Sequence, residues 1–246
     1  MTAFYQLSTA NLKIIYRNKT ALFWNAIMPV GLYIALSILP LPQIVKGINY
    51  SAYVLPGMIA YTITTNGIYG LAYWMAEMRS RNVIKRFLVT PIKLSDLALA
   101  LVASRVIVMF CQVTLLTLTG VIFFGAPFAG NFLSVAILTL LGGSVFLLVG
   151  LLIANYSSSY ETATPITTAV GMPMMFLGNV FFPVETLPYF LKIIGEILPI
   201  TFLADGLRQS YLYAFDFAKI SGDLLALLVW LIILLAATIK IFKLKK

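Results

Sequence analysis

The chain has 246 residues, of which 61% are hydrophobic and only 10% charged, with a mean hydropathy of +0.98. Soluble globular proteins carry about 25% charged residues, so this composition excludes a soluble globule and indicates a polytopic, all-α membrane protein. The net charge of +9 does not point to nucleic acid. Of the seventeen basic residues, three lie in the N-terminal stretch, five in 77–96 and four in the C-terminal tail, and patches that border apolar runs set membrane topology. One cysteine, Cys111, excludes an internal disulfide, and the lack of histidine excludes a His-based metal site, triad or proton relay.

In chain order, residues 4–19 set Leu7, Leu12, Ile15 and Tyr16 among Lys13, Arg17 and Lys19, the pattern of a helix lying on a membrane surface. This mixed polar stretch does not read as a cleavable signal peptide, so the first span, 21–39, is expected to stay as an anchor. Pro29 should kink it. Pro40, Pro42, Lys46 and Gly47 mark a short loop before a second span, 52–75. The stretch 77–96 follows, EMRSRNVIKRFLVTPIKLSD. On a helix, Val83, Ile84, Phe87 and Leu88 fall on one arc and Arg79, Arg81, Lys85 and Arg86 on the other, while Pro91 ends the ladder. From charge alone, an amphipathic surface helix and a solvated loop that only sets topology are equally good readings.

The third span, 97–124, contains Arg105, which is expected to snorkel toward the nearby interface rather than touch a substrate. Residues 125–131 form a turn, and the fourth span, 132–154, has Gly142, Gly143 and Gly150 for close helix approach. The loop 155–164 has one charge, Glu161. A fifth span, 165–182, holds Pro173 and Gly178 and should be irregular; beyond it Pro183, Pro188 and Pro199 cut an apolar segment into interfacial or re-entrant pieces too short to cross a bilayer. The last span, 224–239, ends in Lys240, Lys243, Lys245 and Lys246. Six spans in a single transmembrane domain, 1–246, with both termini cytoplasmic, follow from the basic patches.

No GxxxxGK(S/T), GxSxG or HExxH pattern occurs, so the sequence shows neither an NTPase nor a recognisable hydrolase site. The eight carboxylates fall at span ends or in loops, which disfavours a proton- or sodium-driven carrier. Uphill movement would need energy from another chain. A passive channel would need a charged ring or filter sequence, and none is present.

Three stretches resemble the ABC type-2 permeases, the membrane subunits of ATP-binding-cassette exporters: RNKTALFWNAIMP (17–29), the segment 77–91 with its glutamate and basic helix ending in Leu-x-Thr-Pro, and PMMFLGNVFFPVETLPYFLKIIGEILPITFLADGLRQ (173–209). Where that family often has Gly-Thr, this chain has Asn82 and Val83. The resemblance implies a plasma (inner) membrane permease domain without its own ATPase site, and so not itself an enzyme. It would bind no cofactor or metal and work with ATP-binding subunits that hold ATP and Mg. A second permease subunit, identical or closely related, would complete it.

The same resemblance implies coupling to the ATPase through Glu77, Arg81, Lys85, Arg86, Thr90 and Pro91, with Glu161 as a second contact. Lipid headgroup binding is the competing role for the basic residues, and Glu77 could simply pair with Arg81. Asn25, Thr62, Thr65, Asn66 and Asn179 are candidates for a substrate path, though interhelical hydrogen bonding is the commoner use of such residues. Asp205 and Arg208 are expected to be a structural pair. The implied cargo is hydrophobic or amphipathic, such as a drug, peptide, lipid or glycolipid. A polysaccharide or lipid-linked glycan exporter and a non-transport membrane enzyme or scaffold are the alternatives.

Overall fold

A computed structural model describes residues 3–39, 48–81, 83, 94–157, 159–213 and 216–244. These are helical almost throughout: α1 (Ala3–Arg17), α2 (Lys19–Leu22), a π-helical turn (Phe23–Ile27), α3 (Met28–Ile38), α4 (Tyr50–Ser80), α5 (Leu94–Phe124), α6 (Phe132–Tyr156), α7 (Tyr160–Leu177), a 3-10 turn (Val184–Thr186), α8 (Tyr189–Ile197), α9 (Pro199–Leu212) and α10 (Phe217–Leu244). Among the described residues three helical stretches are long and apolar enough to cross a membrane: Asp96–Phe124, Phe132–Tyr156 and Phe217–Ile241, with Phe23–Ile38 a shorter apolar one. The 31-residue α4 is long enough but more polar, with Thr62, Thr64, Thr65 and Asn66 at mid-length. It occupies the centre of the bundle, where α3, α5, α6, α7 and α9 enclose it, so these groups meet protein rather than lipid.

The glycines of α6 set how close that centre packs. A Cβ on Gly150 would lie 2.5 Å from the Gly67 carbonyl oxygen and 2.8 Å from that of Ile68, and a Cβ on Gly67 would lie 2.6 Å from the Phe146 Cβ. Only glycine admits this approach of two helix backbones. Around the α4–α6 crossing, Met58, Ile59, Ile63, Ile68, Leu138 and Phe146 are fully buried.

Near Pro29 the first apolar helix departs from regular geometry through its π turn. Proline has no N–H to give the carbonyl four residues back, here that of Asn25, and that carbonyl accepts a hydrogen bond from Gln112 Nε2 on α5. Ahead of it, α1 packs along α5, and Ser104 Oγ lies 3.3 Å from the Ser8 carbonyl oxygen.

Several boundaries differ from the sequence expectation. The second helix does not stop at 75. It runs unbroken to Ser80, so Glu77 and Arg79 extend the central helix rather than begin a separate surface helix. Residues 160–164, expected as loop, are the first turn of α7, because Ser159 and Thr162 form a capping box at its start. That helix ends at Leu177, and Asn179, expected inside the fifth span, follows it with a φ of +56°, a conformation that Asn tolerates better than most residues. The prolines divide the next segment as expected, with Pro188 capping α8 and Pro199 opening α9. Of the two expected forms, interfacial or re-entrant, α9 fits the second. It inserts between α4, α6 and α10 and buries Ile200, Leu203, Leu207 and Tyr211.

Candidate functional site

A cleft of about 1040 Å³ opens between α1, the π turn, α4, α5 and α7. Its walls are largely aromatic: Trp24 from the π turn, Tyr61, Tyr69, Tyr73 and Trp74 from α4, and Tyr160 from α7, with Met172 and Met175 beside them. Small-molecule sites are concave and combine apolar and aromatic surface with placed polar groups, and this cleft has both.

Polar lining comes from α1, α4 and α7 as well, with Asn11, Thr64, Thr65, Ser80 and Thr168 beside the charged Glu77, Arg81 and Arg105. Behind the wall, one chain of hydrogen bonds crosses three helical segments. Gln112 Nε2 donates to the Asn25 carbonyl, which can only accept, and this fixes the Gln112 amide with Oε1 toward α4. Asn66 Nδ2 then donates to Gln112 Oε1 at 2.8 Å. The Asn66 Oδ1 is thereby turned to the other side, where it is buried with no hydrogen-bond partner.

On that side lies Arg105. A Cβ on Gly70 would stand 2.8 Å from Arg105 Nη1 and 3.3 Å from Asn66 Oδ1, so the guanidinium rests over a glycine beside the amide oxygen. Arg105 is 8% exposed, its Nε has no partner, and no carboxylate pairs with it among the described residues. The expectation that it snorkels to an interface is therefore corrected: it sits eleven positions into α5, about 17 Å from the helix start, enclosed by protein and bordering the cleft. A buried arginine without a counter-charge is costly, and Gly70 supplies the space that lets it be enclosed here.

Of the proposed path residues, Asn25 and Thr65 line the cleft. Thr62 is buried and bonds to the Met58 carbonyl at 2.7 Å, and Asn66 is the buried link just described. Asn179 lies away from the cleft. Its Oδ1 accepts from the Tyr53 hydroxyl at 2.9 Å, its Nδ2 donates to Asp205 Oδ1, and its carbonyl accepts from Arg208 Nη2 at 2.8 Å. Arg208 also pairs with Asp205 at 2.8 Å and stacks 4.1 Å from the Tyr53 ring centre. The expected Asp205–Arg208 pair is thus present as part of a clamp that ties the start of α4 to the turn after α7 and to α9.

At the other end of α4, Glu77 and Arg81 form the foreseen i,i+4 ion pair at 2.9 Å, with both side chains well exposed. Arg79 behaves differently from Arg81. Its Nη1 donates to the Ala154 carbonyl and, at 3.0 Å, to the Ser157 carbonyl, so it satisfies the open C-terminus of α6. This holds the connection into α7, where Glu161 is exposed in the first turn. Tyr73 joins the same parts: its ring lies 4.5 Å from that of Tyr160, and its hydroxyl is 3.1 Å from Thr167 Oγ1. Lys85, Arg86, Thr90 and Pro91 lie outside the described residues.

Reading the sequence did not single out Gln112, the aromatic wall, or the capping role of Arg79. Gln112 had a usable signal: it stands seven positions after Arg105 and so shares its helix face, which marks a polar stripe on an otherwise apolar span.

Residues 2–212 match the model of a protein family described as ABC-2 type transporter. The inner membrane transport permease YadH of Escherichia coli (strain K12) is 25% identical over 168 residues, covering 68% of this chain and 64% of the relative. A protein named as a probable multidrug ABC transporter permease, YbhR of the same strain, is 26% identical over 165 residues, covering 67% of this chain and 45% of that one. Nodulation protein J of Neorhizobium galegae is 26% identical over 172 residues, 68% of this chain and 64% of the relative. The chain thus spans just under two thirds of the length of YadH.

Proposed function

This chain belongs to the ABC-2 type transporter family, and from that premise we propose that it is an inner-membrane permease subunit that exports a hydrophobic or amphipathic substrate, powered by separate ATP-binding subunits. The observation that carries the cargo class is the cleft, whose lining is amphipathic: tryptophan, tyrosine and methionine side chains alternate with Asn, Thr and charged groups. The multidrug description of YbhR supports the same class. ATP and Mg would be held by the ATP-binding partners.

The topology in this reading has six spans and both termini in the cytoplasm, following the distribution of basic residues. The open side of the cleft is bordered by exposed apolar residues of the π turn and α7, namely Phe23, Trp24, Ile27, Met172 and Phe176, and a second permease subunit would cover them. Glu77, Arg81 and Glu161 sit together at the end of the bundle that the basic residues mark as cytoplasmic. They would receive the motion of the ATP-binding subunits, with Lys85, Arg86, Thr90 and Pro91 continuing the contact. An exposed ion pair can exchange its carboxylate partner for another at small net cost.

The test is ATP-dependent uptake of amphipathic dyes into inside-out vesicles that contain the chain with its ATP-binding subunit. Uptake that needs both proteins and hydrolysable ATP is expected. Activity of the purified chain alone, unaffected by the ATP-binding subunit, would refute the proposal in favour of a membrane enzyme.

A further inference from the structure

We propose that the cleft takes an amphiphile with an anionic phosphate-type headgroup, and that Arg105 is the residue that receives it. This deepens the export reading and rests on it for the route by which the ligand leaves.

Three observations converge. The first is charge. Among the described residues the charged ones lining the cleft are Glu77, Arg81 and Arg105, and Glu77 and Arg81 neutralise each other. One positive charge is left, on Arg105, with no carboxylate against it among the described residues. A low-dielectric pocket with one unmatched guanidinium favours an anion and rejects a cation.

The second is hydrogen-bonding capacity. The guanidinium is a planar fork of donors suited to a phosphate or carboxylate. Beside it, Asn66 Oδ1 is a buried acceptor without a donor, held there by the Asn66–Gln112–Asn25 chain. A headgroup that offers acceptors to Arg105 and an O–H to Asn66 Oδ1 satisfies both. A phosphate monoester in its singly protonated form does this, as does a glycerophosphate. A quaternary ammonium headgroup does neither.

The third is what surrounds the charge. Tyr61, Tyr69, Trp74, Trp24 and Met172 supply apolar surface among the polar residues of the cleft, where an acyl or other apolar tail can lie while the headgroup stays at Arg105. Such a ligand could be the exported solute or a resident membrane lipid. The recognition chemistry is the same for both.

Trp24 and Trp74 line the cleft, and the third tryptophan, Trp230, lies on α10 bonded to the Ile197 carbonyl. In a Trp230→Phe background, with ATP-binding subunits and nanodisc scaffold protein free of tryptophan, the fluorescence therefore reads the cleft. The complex, in phosphatidylcholine nanodiscs, is titrated with lysophosphatidic acid and with lysophosphatidylcholine carrying the same brominated chain. At least tenfold tighter quenching by lysophosphatidic acid is expected. Arg105→Gln should remove that preference, Arg105→Lys should keep part of it, and Gly70→Ala, which pushes against Nη1 while retaining the charge, should weaken it severalfold.

Equal affinity for the two probes, or a preference that survives both Arg105→Gln and Gly70→Ala, overturns the proposal. Should Arg105→Gln not fold, the Gly70→Ala titration decides. ATP-driven movement of lysophosphatidic acid in inside-out vesicles identifies the exported solute as the source. Anionic phospholipid that co-purifies with the wild type, is lost in Arg105→Gln and is not moved identifies a resident lipid, and either result supports the assigned headgroup. Dye export without any headgroup preference sinks this inference and leaves the export reading intact. Headgroup selection without ATP-dependent movement of any probe or dye does the reverse.

Discussion

Arg79 and Arg81 are two residues apart on one helix and look alike in sequence, but the structure gives them opposite roles that a paired substitution separates. Arg79 serves the Ala154 and Ser157 carbonyls, in residues 0% and 1% exposed respectively. Removing a charged donor from buried carbonyls costs about 1.5–3 kcal/mol, and because Arg79 is only half-buried a loss of about 2 kcal/mol is expected for Arg79→Gln. At about 2–4 °C per kcal/mol for a chain of this size, the unfolding midpoint of the solubilised subunit should fall by roughly 4–8 °C. Arg81→Gln removes only an exposed ion pair, worth about 0–1 kcal/mol, and should lower the midpoint by no more than about 4 °C. The functional readout reverses the order: substrate-stimulated ATPase activity of the complex should drop severalfold in Arg81→Gln, and in Arg79→Gln only as far as folded protein is lost. An unchanged midpoint for Arg79→Gln together with lost stimulation would refute the capping role and make Arg79 part of the docking surface.

Gly150→Val should be more disruptive than any polar change, since even a Cβ would stand 2.5 Å from backbone oxygen. Overpacking typically costs about 1–3 kcal/mol, and a rigid neighbour puts this site at or above the top of that range, read as loss of monodisperse protein on size exclusion. Asp205→Ala leaves Arg208 buried without its carboxylate and should destabilise by about 2–3 kcal/mol, below the roughly 3–5 kcal/mol of fully enclosed pairs because the Asp205 side chain is 37% exposed. Adding Arg208→Leu should recover part of that loss in a thermal double-mutant cycle. Gln112→Leu strands Asn66 Nδ2 and one acceptor of the Asn25 carbonyl, each at about 1–3 kcal/mol, and is expected to lower both the midpoint and dye export.

The apolar stretches were legible because hydropathy and length are local properties, and the helices Phe132–Tyr156 and Asp96–Phe124 begin and end close to where composition put them. The prolines at 188 and 199 likewise act locally as helix openers. What failed depended on neighbours. Arg105 reads as a snorkelling cation unless one knows that Gly70 leaves room for it. Ser159 and Thr162 read as polar loop residues until their reciprocal bonds show a helix start. Asn66 and Asn179 were grouped as polar residues within spans, but one is a link beside the cleft and the other a clamp at the far end, a separation set by the α7 terminus that no periodicity in the sequence marks.

The cleft and the exposed charged end are mechanically continuous in a way that suits a driven permease. α4 carries the aromatic wall at Tyr61, Tyr69 and Trp74 and, in the same unbroken helix, Glu77. Arg79 fastens that helix to the end of α6, and the Tyr73–Tyr160 and Tyr73–Thr167 contacts fasten it to the start of α7. α7 in turn brings Met172 and Met175 to the opposite wall. In the proposed export cycle a push on Glu161 or Arg81 would act on two helices joined at their ends, and with those ends held the displacement would appear farther along them, as a change in the width of the cleft. Helices of this length transmit such motion as stiff rods except where their ladders are interrupted, and α7 is interrupted at Pro165 and Pro173 on either side of the cleft-lining Thr168, Gly171 and Met172. α4 has an internal proline as well, Pro56, but it precedes the cleft-lining residues of that helix, which begin at Tyr61; in the proposed cycle the wall formed by α7 would therefore bend more than the stretch of α4 beside Arg105.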